Sequence, residues 1–164
     1  MRATVTLQLK DKATGNVITS RHAKNAVMRD GAGLIAALFM GAGSAISHMA
    51  VGTNSDPDPE TFDIAALTVD AEELTGVTEA PLPAESFTSE IDDVRRVVKV
   101  RVRGTLLDEA AVGTVREAGL MARSGEGNAV LYNRVTFDPI VKGSDHELTL
   151  FWEVTFPYGD LQWF

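Results

Sequence analysis

Cysteine is absent from the 164 residues, which excludes disulfide staples, thiolate metal sites and cysteine nucleophiles together and leaves the redox compartment open. Aromatic residues are scarce at 7%, with two Trp and two Tyr, so little is available to build a broad aromatic platform. Long apolar runs are missing as well. Met1 to Lys10 alternates polar and apolar residues and lacks the continuous apolar stretch of a secretion signal, so no targeting peptide is read there. Gly31 to His48 is broken by glycine and serine, and its most apolar part, Leu34 to Met40, falls far short of the ~20 residues a membrane span needs. These absences predict a soluble chain without membrane contact.

Basic residues are absent from one long segment. Asn54 to Asp93 carries twelve acids and no Lys or Arg, which leaves eleven acids against all 15 Lys and Arg elsewhere, a surplus of four positive charges. The formal net charge of -8 argues against nonspecific nucleic-acid binding, which needs a surplus of cations to meet phosphates. A hydrophobic content of 45% and a mean hydropathy of +0.01 lie far from the low-hydrophobicity regime of disordered chains. The length predicts a single domain over 1–164 with a sizeable core.

What is there is mostly strand pattern. Thr4 to Lys10 places Val5, Leu7 and Leu9 on one face, and the turn Thr14-Gly15-Asn16 lets Val17 to Ser20 return as a hairpin. Val98, Val100 and Val102 alternate with Lys99, Arg101 and Arg103; Leu148, Leu150, Trp152, Val154 and Phe156 alternate with Glu147, Thr149, Phe151, Glu153 and Thr155. Ile46 to Val51, Val112 to Met121 and Val130 to Phe137 are further strands. One helix is expected beyond Asn25 as N-cap, with Val27, Leu34, Ile35, Leu38 and Phe39 at helical spacing, small residues at Gly31 and Ala32 for close packing, and a stop near Gly41-Ala42-Gly43. Asn54 to Asp93, with four of the six prolines, reads as a long acidic surface loop with a weak helical patch at Ile64 to Leu74. The expected fold is mainly β: an antiparallel β-sandwich-like domain of six or seven strands with one N-terminal α-helix.

Chemistry-bearing patterns are few. His22, His48 and His146 are each isolated, without a second ligand at metal-compatible spacing. Asp56-Pro57-Asp58-Pro59-Glu60 alternates carboxylates but lacks the glycine and distal glutamate of a calcium loop. Gly41-Ala42-Gly43-Ser44 follows a helix instead of preceding one, so it does not form a phosphate loop, and no serine lies in a G-x-S-x-G turn. The reading is therefore of a chain with no catalytic residue, no metal and no cofactor. Two candidate interface regions stand out. Arg95, Arg96, Lys99, Arg101 and Arg103 gather positive charge along a strand, without the aromatic interleaving of a single-strand platform; they are expected to meet carboxylates of the acidic segment or of a neighbouring copy. The tail over 157–164, with Tyr158, Trp163 and Phe164, either folds over the domain's own core or docks on another subunit.

Six strings taken in order resemble a family of small bacteriophage tail-fibre-associated and tail-attachment proteins. They are Lys24-Asn25-Ala26-Val27 leading into Gly31-Ala32-Gly33-Leu34; Ile46-Ser47-His48-Met49-Ala50-Val51-Gly52-Thr53; Ala66-Leu67 before Glu72-Glu73; Arg116-Glu117-Ala118-Gly119-Leu120; Leu131-Tyr132-Asn133-Arg134 with Phe137-Asp138-Pro139-Ile140; and Glu147-Leu148-Thr149-Leu150-Phe151-Trp152-Glu153. The resemblance runs from about residue 24 to 156. It implies a virion protein of the tail or baseplate, a mainly β fold and an adaptor or attachment role as a homo-oligomer, a trimer where it joins a fibre. Partners would be copies of itself and other virion proteins, and no catalytic residue is carried over. In that reading Gly52 and Gly119 permit sharp backbone conformations, while Trp152 and Phe156 supply core. Alternatives are a capsid decoration or head-tail neck protein, a carbohydrate-binding module, which would need an exposed aromatic platform, and an enzyme, which would need convergent carboxylates in a pocket.

Overall fold

Alternation at the start of the chain becomes a strand whose apolar face is closed to water. The computed structural model describes residues 2–160. In β1 (Arg2–Asp11) the side chains of Val5, Leu7 and Leu9 are buried while Thr4, Thr6 and Gln8 face outward. The Asp11 carboxylate accepts the Thr14 N–H at 2.9 Å, and Gly15 takes a φ of +72°, so the chain turns into β2 (Val17–Lys24). The short β3 (Ala26–Val27) then pairs with Asn133 and Arg134. This pairing is why the helix begins later than Asn25: α1 spans Arg29–Phe39 with Met28 at its N-cap. Gly31 packs α1 against Tyr132, where an added Cβ would lie 2.7 Å from the Tyr132 Cα. The helix ends as expected, with Gly41 at a φ of +73°.

After β4 (His48–Gly52) the acidic segment departs from the expected single loop. Residues 53–73 are loop and turn without a helix, and the apolar side chains of the expected helical patch are used singly. Ile64 and Leu67 pack on Met28, Ala50, Met121 and Leu131, and Leu74 is buried in the main core. The backbone of this stretch is committed elsewhere, since Thr53 N donates to Thr68 O at 2.8 Å. From residue 74 onward the acidic segment is largely strand: β5 (Leu74–Thr75), β6 (Glu79–Pro81) and, after a 3-10 turn at Ala84–Ser86, β7 (Phe87–Asp92).

The remaining strands are β8 (Val97–Leu106), β9 (Val112–Arg123), β10 (Ala129–Leu131), β11 (Asn133–Lys142) and β12 (His146–Pro157). The expected strand from Val130 to Phe137 is split at Tyr132, whose N–H donates to Leu120 O at 2.8 Å while Leu120 N donates to Asn133 Oδ1 at 2.8 Å. Two antiparallel sheets result, one in the order β2-β1-β12-β8-β7 and one in the order β3-β11-β9-β4-β6, with β10 and β5 also on β9. The fold is a β-sandwich-like domain with one helix. Its core lies between the sheets, with Val5, Leu7, Leu150 and Trp152 from one and Met49, Val115, Leu120 and Ile140 from the other. Among the described residues no helix is long and apolar enough to cross a membrane.

Gly52 and Gly119 are present for space, not for unusual backbone angles, since neither has a positive φ. A Cβ on Gly52 would collide with the Glu117 carboxylate and lie 2.6 Å from Thr68 O; one on Gly119 would lie 2.5 Å from Asn133 O.

Candidate functional site

The basic stretch divides between a hairpin turn and a strand face. Arg95 and Arg96 lie in the turn from β7 to β8, where Arg95 N donates to Asp92 Oδ1 at 3.0 Å and Arg96 takes a φ of +53°. The Arg95 N–H, followed by the Lys99 ammonium at 3.2 Å, holds the Asp92 carboxyl below its usual range. On the outer face of β8, Arg101 donates from NH1 to Glu90 Oε2 at 2.8 Å and from Nε to Glu153 Oε2 at 3.2 Å, and these carboxylates keep its guanidinium firmly protonated. Glu90 and Asp92 belong to the acidic segment, so of the two kinds of partner expected from the sequence, its own acidic segment serves Arg95, Lys99 and Arg101. Such exposed pairs set register more than they add stability. Arg103 differs: its guanidinium lies 5.8 Å from the centre of the Phe151 ring, and no carboxylate pairs with it among the described residues.

Tyr158 is brought to the same hairpin. Its N–H donates to Arg96 O at 3.0 Å and its hydroxyl donates to Asp93 Oδ1 at 2.7 Å, a bond that raises its own pKa. The chain thus folds back on the β7–β8 turn at this point. Trp163 and Phe164 lie outside the described residues.

Cross-strand register builds a groove on the outer face of the five-stranded sheet. Phe151 stands on β12 with Thr6 opposite on one side and Arg103 opposite on the other, while Thr6 is in turn opposite His22. Glu85 and Ser86 of the 3-10 turn close one wall, and the space enclosed is about 530 Å³. Sequence reading had singled out Arg103 for its charge but not Phe151, which the alternation of β12 places on the outer, half-exposed face.

A second constellation escaped the sequence altogether. Arg134, about 1% exposed, donates from Nε to Glu117 Oε2 at 2.6 Å, from NH1 to Asp58 Oδ1 at 2.8 Å and Asp56 O at 2.9 Å, and from NH2 to Asn54 O at 3.0 Å. Glu117 Oε1 accepts the N–H of Thr68 at 2.9 Å and of Asn54 at 3.3 Å. Burial opposes the Arg134 charge, but Asp58 and Glu117 outweigh it and raise its pKa. Of the alternating acids around Asp56, Asp58 therefore anchors this arginine through its carboxylate and Asp56 through its main-chain carbonyl, and all three nitrogens of the planar fork donate. Lys142 is similarly enclosed, donating to Leu107 O and Asp108 O at 2.8 Å each, with burial lowering its pKa.

The histidines are dispersed: His22 meets Thr6, His48 meets Ser47, and His146 accepts the Gly143 N–H at 2.9 Å. Among the described residues no group of three or more His, Asp or Glu is placed to hold a metal ion. Compared with protein-family models, curated proteins and solved structures, the chain matches none.

Proposed function

We propose that the chain is a structural subunit of a bacteriophage-type tail or baseplate, a fibre adaptor or attachment protein that works through contacts with copies of itself and with other virion proteins. The observation that carries this reading is the end of α1. Phe39 is 89% and Met40 78% exposed, and Leu38 beside them is 41% exposed. This apolar point is held in place, since Met40 N donates to Ala37 O at 3.0 Å and Gly41 N to Leu38 O at 3.1 Å. Large apolar side chains displayed together on a fixed turn are what an interface core supplies. The resemblance to tail-attachment proteins adds support, because its strings fall on framework positions such as Gly52, Gly119, Asn133 and Trp152. Nothing in that set requires a substrate.

Immunogold labelling of particles released by cells that carry the gene tests the proposal. Label at the tail tip or baseplate supports it, label confined to the shell or neck replaces it with a head role, and particles without label overturn it. A Phe39→Asp, Met40→Asp double variant should leave the thermal stability of the isolated chain unchanged and abolish incorporation into particles; incorporation at the normal level counts against this surface as the contact.

A further inference from the structure

The groove on the outer face of the five-stranded sheet has no part in that assembly reading, and its chemistry can be followed independently. Its floor is the centre of the sheet. Phe151 lies on β12, the middle strand, and Thr4, Thr6 and Arg103 flank it on β1 and β8. The three strands that carry the floor, β1, β12 and β8, are each paired on both sides, so a peptide could add itself as a strand only at the sheet edges β2 and β7, which border the groove with His22 and Thr88. On the floor itself, recognition must come from side chains.

Those side chains are balanced in charge and only partly committed. Arg101 and Glu153 neutralise one another, with Glu90 on the far side of the arginine. That leaves Arg103 and Glu85, which line the same groove and do not close on each other as an ion pair among the described residues. Arg103 brings N–H donors and Glu85 carboxylate acceptors, and the hydroxyls of Thr4, Ser86 and Thr88 can do either. No surplus of one sign remains to attract a polyanion or polycation.

Phe151 supplies what the polar groups do not. The cation–π contact sets the Arg103 guanidinium over one face of the aromatic ring, 5.8 Å from its centre, so that donors stand close to an apolar surface. A pyranose ring has the complementary form: one face of C–H groups, suited to the negative face of an aromatic ring, and a rim of hydroxyls that both donate and accept. A volume of about 530 Å³ falls within the usual range for small-molecule sites, roughly 300–1,000 Å³. The groove also continues past Arg103. A second hollow of about 340 Å³, bounded by Pro81, Pro83 and Thr105, shares Glu85, Ser86 and Arg103 with the first. This is the shape for a chain of sugar units more than for a single ring.

We infer that this face is a binding groove for a neutral oligosaccharide, with Phe151 stacking against one sugar ring and Arg103 and Glu85 reading hydroxyls on either side of it. The test uses the full chain and three neutral probes, linear hexasaccharides of glucose, mannose and galactose, with a hexuronic-acid hexasaccharide and an acidic peptide as comparators. Titration is followed by ¹H–¹⁵N NMR shifts and by calorimetry. The expected result is saturable binding of at least one neutral probe with a Kd of about 1 mM or tighter, with shifts centred on Thr4, Thr6, Arg103 and Phe151. Phe151→Ala and Arg103→Gln should each weaken it by roughly tenfold or more, while Val94→Ser, at a 95% exposed position away from the groove lining, should leave it unchanged. Should Phe151→Ala fail to fold, the exposed Arg103→Gln variant carries the comparison alone. Absence of saturable binding by all three neutral probes, preference for the uronic acid or the peptide, or neutral binding that survives Arg103→Gln would each overturn the inference.

Discussion

Arg134 Nε lies 2.6 Å from Glu117 Oε2, and both side chains are about 1% exposed. A buried pair of this kind adds little net stability over an apolar replacement of the whole, but removing one partner strands the other charge in the interior. Arg134→Met should therefore cost about 3–5 kcal/mol, read as a lower urea midpoint. The same variant frees the carbonyls of Asn54 and Asp56, so limited proteolysis should cut the 54–73 loop faster than in the unaltered chain. Equal cleavage rates would show that the loop is held by other contacts.

Close approach at two glycines makes a second expectation. Gly119→Ala places a Cβ against the Asn133 carbonyl, and Gly52→Ala places one against Thr68 O and Glu117. Each should destabilise by about 1–3 kcal/mol, because the obstructing atoms belong to backbone or to a buried ion pair that cannot shift freely. Gly33→Ala is the contrast: it lies inside α1 with nothing within 4 Å of an added Cβ. That change should stabilise by about 0.5–1 kcal/mol through helix propensity. Thermal unfolding of the three variants side by side decides whether space or backbone freedom governs these positions.

Lys142 sets a pH dependence at alkaline pH. Burial lowers its folded-state pKa below the ordinary value of 10.5. Between the lowered value and 10.5 the unfolded chain binds more protons than the folded one, so the contribution of this group to stability rises with pH across that window. Subtracting the unfolding free energies of Lys142→Met from those of the unaltered chain, from pH 8 upward, should give a difference that grows in favour of lysine. A flat difference would mean that the ammonium is as well solvated inside as outside.

Arg96 is held at a φ of +53° in the β7–β8 turn. A left-handed conformation costs a side-chain-bearing residue roughly 1–2 kcal/mol, and glycine escapes most of that cost. Arg96→Gly should raise the unfolding free energy by about 1 kcal/mol in chemical denaturation. Its main-chain carbonyl would still accept the Tyr158 N–H, so the fold-back of the chain on this turn should persist. Loss of stability would instead assign the Arg96 side chain a structural role.

The strands that were legible in the sequence are those with one face in the core and one in water. Thr4 to Lys10, Val98 to Arg103 and Glu147 to Phe156 alternate because the sandwich buries only one side of each. The short strands of the acidic segment gave no such signal: β5 and β6 have two and three residues, too few for a period to register. The roles of Arg134 and Lys142 gave no sequence signal for a different reason. Their neutralising partners are loop carbonyls and carboxylates brought from distant parts of the chain, so the charge that looks solvated in the sequence is satisfied inside the fold. The helix start at Arg29 in place of a cap at Asn25 has the same origin, since Ala26 and Val27 are claimed by β11. The groove was invisible because it depends on which residues of β1, β12 and β8 stand opposite one another, a matter of register between segments about 140 residues apart.

The pairing of β1 with β12 also governs when the five-stranded sheet can form. The hairpins β1–β2 and β7–β8 are local and can arise early, but they are joined only through β12 between them. A ribosome must deliver residues 146–157 before either hairpin acquires its second neighbour. Until then Val5, Leu7 and Val102 face water beside unpaired strand edges, the condition under which nascent chains aggregate. Closure over so long a sequence separation is slow, on the order of milliseconds to seconds, and β12, made after the strands it joins, is the one that completes this sheet.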